Sequence, residues 1–291
     1  MRRHYPLTVK LQRDLSGDSA QVLHIWNLDK STLDVAHATL AGVATLPLDF
    51  AVDKRVIPGM PEVLRGLRWG SSPAYACVPI VFVSAGPPQL RHVLARKMML
   101  DGVEWDGFLF KNWWRILRMA QPWRLREHTG FKLCAWLTLR ALQPQRDVFL
   151  YGNDSDAQAF SLFHGLIHEG LSAVRAEARL QAAGLHRHDR RCILPLWEQV
   201  AAAEGKVRRA FIHIGPSHSP GTLPASPELT PIRNAVDLAL ALWEEEQVRV
   251  EAVRRVIAAT LGPFSAETRQ RLVEDAGRRG LVSAARLAEL G

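Results

Sequence analysis

Cysteine is scarce in this chain. The 3 present, Cys77, Cys134 and Cys192, are too few and odd in number for a disulfide framework. They stand among apolar neighbours and read as core thiols, so a reducing, cytoplasmic setting is expected. Long apolar runs are also lacking. The longest, Cys77–Ala85, is far too short to span a bilayer, so no transmembrane segment is expected. Met1–Leu15 is studded with Arg, Lys and Asp and has no apolar stretch of the kind a secretion signal needs. There is no internal repeat and no low-complexity tract. Histidine is plentiful, but its densest groups, His186-Arg187-His188-Asp189 and His213 with His218, lack a zinc spacing and a Cys pair. They are expected to hold no metal.

What is present fits a globular protein. The 291 residues are 47% hydrophobic and 23% charged, enough to bury a core and too apolar for wholesale disorder. The formal charge of +8 permits an anionic partner without naming one. Residues 21–29, 78–84 and 147–151 are short apolar runs of the kind that form strands covered on both faces. Residues 103–111 are a further candidate strand, and 207–214 another. Helices are expected after Pro58-Gly59-Met60-Pro61, after Pro87-Pro88, over 125–142 with a stripe of Leu133, Trp136, Leu137 and Ala141, over 154–168, through 171–205, and over 232–291. Residues 31–57 are irregular and 215–231 are a Pro/Gly/Ser loop. Alternating strands and helices predict an α/β fold with a mostly parallel sheet. The chain divides into an N-terminal segment 1–20, a main domain 21–215, and a proline-rich loop with a helical extension, 216–291, packing on that domain.

In open parallel sheets, ligands sit at the carboxyl ends of the strands. Four polar groups stand at such places in chain order: Asn27-Leu28-Asp29 after the first strand, Ser84 after the second, Lys132 early in a helix, and Gly152-Asn153-Asp154-Ser155-Asp156 after Asp147–Tyr151. An acidic loop, a hydroxyl, a lysine and a second acidic loop resemble the four motifs of the haloacid dehalogenase superfamily of phosphohydrolases. The stretches DKRVIPGMPEVLRGLR (Asp53–Arg68), FVSAGPPQLRHVLARKMMLDGVEWDGFLFK (Phe82–Lys111), GFKL (Gly130–Leu133) and YGNDSDAQAF (Tyr151–Phe160) resemble its phosphatidate-phosphatase catalytic-domain branch, which includes the actin-patch enzymes. The likeness covers roughly residues 21–165 and fades towards the C-terminus. It implies a Rossmann-like parallel sheet flanked by helices.

The resemblance also implies roles. In such enzymes a first Asp attacks phosphorus and a second Asp, two residues on, serves as general acid and base. A hydroxyl and a lysine hold the phosphoryl oxygens, and carboxylates of the last loop hold Mg²⁺. Carried over, the catalytic positions are Asn27, Asp29, Ser84 and Lys132. The phosphate-binding positions are Ser84, Ala85 and Lys132. The metal positions are Asn27, Asp29, Asn153 and Asp154, with Asp156 a further remaining acid. The family's last loop reads GDD-x-E-x-D, whereas Asn153 and Gln158 stand here at two of its acids, and Asn27 replaces the nucleophile. Each amide keeps size and hydrogen bonding and sheds charge. The resemblance therefore implies a catalytically impaired phosphatase-like protein with weak or absent Mg²⁺, binding a phosphorylated small molecule, a phospholipid headgroup or a protein partner.

Two other readings stay open. Asp29, Ser84, Lys132 and Asp154 remain, which allows a working phosphatase with an altered site. The positive charge allows a basic module for a membrane surface or, less favoured, nucleic acid. Trp113, Trp114 and Trp123 stand near Arg115, Arg118, Arg124 and Arg126. Such residues usually form core with a polar rim, and they can also lie against lipid headgroups or stack on bases. Lys111 rivals Lys132 but sits less well in the motif order. Asp154 suits a helix N-cap as well as a metal.

Overall fold

Along Val22–Asn27, His24 and Trp26 point one way and Leu23 and Ile25 the other, and all four are buried. A strand buried on both faces needs helices above and below it. The computed structural model describes residues 5–15, 20–28, 56–71, 77–215 and 228–290, and it meets that need. Its strands are β1 (Leu7–Leu11), β2 (Val22–Asn27), β3 (Ile80–Ser84), β4 (Gly107–Lys111), β5 (Asp147–Asn153), β6 (Val207–His213) and β7 (Leu229–Ile232). They form a 7-stranded sheet in the order β1-β4-β3-β2-β5-β6-β7. Every pair is parallel except β1 with β4.

Parallel neighbours require crossovers, and helices supply them. The helices are α1 (Met60–Trp69), α2 (Arg91–Leu100), α3 (Trp113–Arg118), α4 (Thr129–Leu142), α5 (Ala157–His168), α6 (Ala173–Ala182), α7 (Arg187–Val200), α8 (Ala235–Glu244), α9 (Val250–Leu261), α10 (Ala266–Arg278) and α11 (Ala284–Leu290). Helices α1, α2, α8 and α9, with Ala276 of α10, pack on the face that bears Trp26, Phe82 and Tyr151. Helices α4 to α7 pack on the face that bears Ile25, Val83 and Leu150. The chain runs outward from β2 through β3 to β4, then crosses to β5 on the other side of β2. The order reverses between β2 and β5, and in open parallel sheets the carboxyl ends at such a switch point are where ligands bind.

The α/β fold expected from the sequence is present, with several shifts of detail. The strand expected over 78–84 starts at Ile80, because Pro79 has no N–H for the ladder. The helix expected over 125–142 starts at Thr129, and Pro122–Leu125 makes a separate 3₁₀ turn. Helix α4 is buried on most sides from Gly130 to Leu137, between the sheet and α7, and so exceeds a one-stripe amphipathic helix. Strand β5 runs two residues past Tyr151, placing Gly152 and Asn153 in the ladder. Part of the loop expected over 215–231 is strand β7, with Pro231 tolerated at the sheet edge. Leu7–Leu11, expected as a separate segment, caps the opposite edge. The irregular stretch 31–57 lies outside the described residues apart from its last two. Cys134 and Cys192 are buried, whereas Cys77 is half-exposed. Among the described residues, no helix is long and apolar enough to cross a membrane.

Candidate functional site

Asn27 is the last residue of β2 and follows Leu23 and Ile25 on the face covered by α4. Trp26 is opposite Tyr151, so Gly152 falls beside Asn27 and Asn153 lies one step beyond. The first turn of α4 brings Lys132 over the same strand ends. After β5, the 3₁₀ turn Asp154–Asp156 folds the chain back and tucks Asp156 beneath it. Asn27, Lys132, Asn153 and Asp156 are all buried.

These side chains form one hydrogen-bonded hub, centred on Asp156. Its Oδ1 pairs with the Lys132 ammonium. Its Oδ2 accepts Nδ2–H of Asn27 at 2.5 Å and the backbone N–H of Asn153 at 3.1 Å. A carboxylate only accepts, so it is the nitrogen of the Asn27 amide that must face Asp156. One buried cation meets one buried anion, and the remaining members are neutral. Asn153 in turn caps the 3₁₀ turn: its Oδ1 accepts Ser155 N–H at 2.9 Å and Ser155 Oγ–H at 2.5 Å. Asn153 and Asp156 together make a capping box. The cap expected at Asp154 is thus made by Asn153, because Asn153 is the last extended residue and Asp154 is already in the turn.

Gly152 is needed for this geometry. A Cβ there would lie 2.4 Å from Asp156 Oδ2 and 2.9 Å from Phe160 Cζ. Phe160 is fixed by stacking on Trp136, with ring centroids 4.8 Å apart. Gly152→Ala is therefore expected to cost about 1–3 kcal/mol by overpacking, read as a fall in the urea midpoint.

The remaining expected site residues are placed as follows. Ser84 ends β3 one residue past Val83, the partner of Asn27. Alternation puts it on the Phe82 face, opposite the face of Asn27 and Lys132. Its Oγ accepts Gly86 N–H at 3.1 Å. Ser84 therefore stands at the same end of the sheet as Asn27 but on the opposite face. The carbonyl of Ala85 accepts the indole N–H of Trp113 at 2.8 Å. Asp154 is half-buried at the rim, with Oδ1 accepting Ser155 N–H at 2.8 Å. Gln158 is exposed and donates to the Ala183 carbonyl at 3.2 Å. Asp29 lies outside the described residues. The central role of Asp156 was not read from the sequence, although Asn153-x-x-Asp156 has the spacing of a capping box.

The rival lysine has a structural post. Lys111 ends β4, is fully buried, and donates to the carbonyls of Leu125, at 3.3 Å, and Glu127. It ties the segment entering α4 to the sheet and so fixes where Lys132 begins. Burial pulls its ammonium down to about 7, opposed by Glu127 and Asp189. Burial, with Lys111 and Lys132 nearby, pushes His128 down to about 3, leaving a neutral ring beside the lysine. Between the folded value of Lys111 and its unfolded value of about 10.4, the unfolded chain binds more protons there, so this group makes stability rise with pH from about 7 upward. Lys111→Met is expected to flatten that rise in urea titrations across pH.

Arg124, one of the arginines considered for a lipid-facing surface, is buried. It pairs with Asp189 at 2.7 Å and lies over the Tyr5 ring at 5.0 Å. A guanidinium with a buried carboxylate within reach does not need solvent.

Among the described residues, no group of three His, Cys, Asp or Glu side chains converges to hold a metal. Of the expected metal positions in these residues, Asn27 turns a nitrogen to Asp156, Asn153 Oδ1 is taken up by Ser155, and Asp154 is a single carboxylate. Comparison of the chain with family models, with curated proteins and with solved structures gives no match.

Proposed function

We propose that this chain is a catalytically impaired, phosphohydrolase-like protein of the haloacid dehalogenase type, whose strand-end crevice binds a phosphorylated ligand without turning it over. One observation carries the reading. At the end of the central strand, where an attacking carboxylate would stand, Asn27 donates its amide to Asp156. An amide bound in this way offers phosphorus no nucleophile. In a serine protease, a hydrolase of different chemistry that also forms a covalent intermediate, loss of the nucleophile costs about 10⁶ in rate. The likeness of Asp53–Arg68, Phe82–Lys111, Gly130–Leu133 and Tyr151–Phe160 to phosphatidate phosphatases supports the choice of a phosphate ester as ligand.

Electrostatics supports binding without turnover. With Asn27 neutral and Asp156 matched by Lys132, a phosphate dianion at the crevice meets less repulsion than it would from several carboxylates. Mg²⁺ is then dispensable for bringing one anion to another. Calorimetry with inorganic phosphate and phenyl phosphate tests the proposal. Binding in the absence of Mg²⁺, little altered by its addition, is the expected result. No binding with or without Mg²⁺ would refute retention of the pocket, and binding only with Mg²⁺ would favour a working phosphatase with an altered site.

A further inference from the structure

From Gly107 to Arg126 the chain contains no Asp or Glu, while it carries Lys111, Arg115, Arg118, Arg124 and Arg126. Lys111 and Arg124 are buried, which leaves Arg115, Arg118 and Arg126 exposed. Beside them, Trp114 is 62%, Leu117 48%, Met119 37% and Trp123 45% exposed. Single exposed apolar residues are ordinary, but four within one turn-helix-turn stretch form a patch. The patch is held rigidly. Ile116 is fully buried under α3, and the Trp113 indole is bonded to the Ala85 carbonyl at 2.8 Å. Thr8, Gln89, Asn112, Trp114, Arg115 and Arg118 line an open groove of about 820 Å³ alongside it. The groove lies at the end of the sheet where β4 gives way to α3, the same end as the hub.

We infer that this surface docks the protein on a bilayer containing anionic phospholipids. Indoles suit the headgroup level, where the ring is half in water, and Leu117 and Met119 extend past it into acyl chains. The three exposed arginines complement the negative leaflet, and no carboxylate of the stretch opposes them. A single-stranded nucleic acid would use the indoles and arginines as stacking and phosphate contacts, but would leave Leu117 and Met119 without a role. The inference rests on residues apart from the hub and does not depend on how that hub is read.

Co-sedimentation of the full chain with vesicles tests it. The expected result is binding to phosphatidylcholine vesicles that contain phosphatidylserine, weak binding to phosphatidylcholine alone, and loss of binding as salt rises. Arg115→Glu with Arg118→Glu is expected to weaken binding about tenfold or more. Trp114→Ser with Trp123→Ser is expected to weaken it too and to abolish a blue shift in tryptophan emission. All four positions are exposed, and an unchanged melting curve shows that each variant is folded. Absence of vesicle binding, equal binding after both double substitutions, or preference for single-stranded RNA over vesicles would overturn the inference. No substrate or turnover enters the readout, so its failure is distinct from failure of the phosphate-binding proposal.

Discussion

Asp156→Asn is expected to lower the unfolding free energy by about 3–5 kcal/mol, the cost of breaking a buried ion pair by removing one member. Lys132 is buried with its ammonium on Asp156, and the carboxylate also accepts from Asn27 and from the backbone of Asn153. Removing its charge breaks the Lys132–Asp156 ion pair from one side. Adding Lys132→Met is expected to recover part of the loss, because a buried ion pair replaced on both sides is often close to neutral. The double-mutant cycle therefore gives a large coupling, read from urea unfolding curves. Additive losses would mean that the two groups do not act as a pair.

Asn27→Asp is expected to be nearly as costly, about 3 kcal/mol above neutral pH, in spite of being nearly isosteric. It sets a carboxylate against Asp156 across the 2.5 Å contact now made by the amide. Two carboxylates that close cannot both ionise without cost, so one proton is held to a higher pH than in the unfolded chain. The sign follows. Between the unfolded value of about 4 and the raised folded value, the folded variant binds more protons, so its stability falls as pH rises. Below that window the variant approaches wild type. Unfolding midpoints measured across pH test this, and a pH-independent difference from wild type would contradict it. On the proposed reading the same substitution would place a carboxylate at the nucleophile position, so Asn27→Asp with Asn153→Asp is the variant in which phosphatase activity is expected. Activity no higher than wild type would count against the proposal that the amides at positions 27 and 153 account for an impaired site.

Much of the fold was legible because strands covered on both faces leave near-continuous apolar runs, as in Leu23–Trp26, Ile80–Val83 and Val148–Tyr151. The ends of those runs pointed to Asn27 and Asn153, and chain order pointed to Lys132. The edge strands were hidden for the opposite reason. Leu7–Leu11 is half in solvent, and Leu229–Ile232 contains a proline and follows a stretch of sequence rich in Pro, Gly and Ser. The hub at Asp156 was hidden because Asn27 and Lys132 come from stretches far from it along the chain, and only the capping-box spacing Asn153-x-x-Asp156 is local. The burial of Arg124 is similar, since its partner Asp189 is on another helix. Ser84 shows a further limit: its place at a strand end could be read, but the face it takes depends on register.

The most direct test of an impaired site is hydrolysis of p-nitrophenyl phosphate by the purified chain with Mg²⁺, measured beside Asp29→Asn. The proposed absence of a nucleophile at Asn27 predicts the same background rate in both. Magnesium-dependent turnover by the wild type that Asp29→Asn abolishes would contradict it.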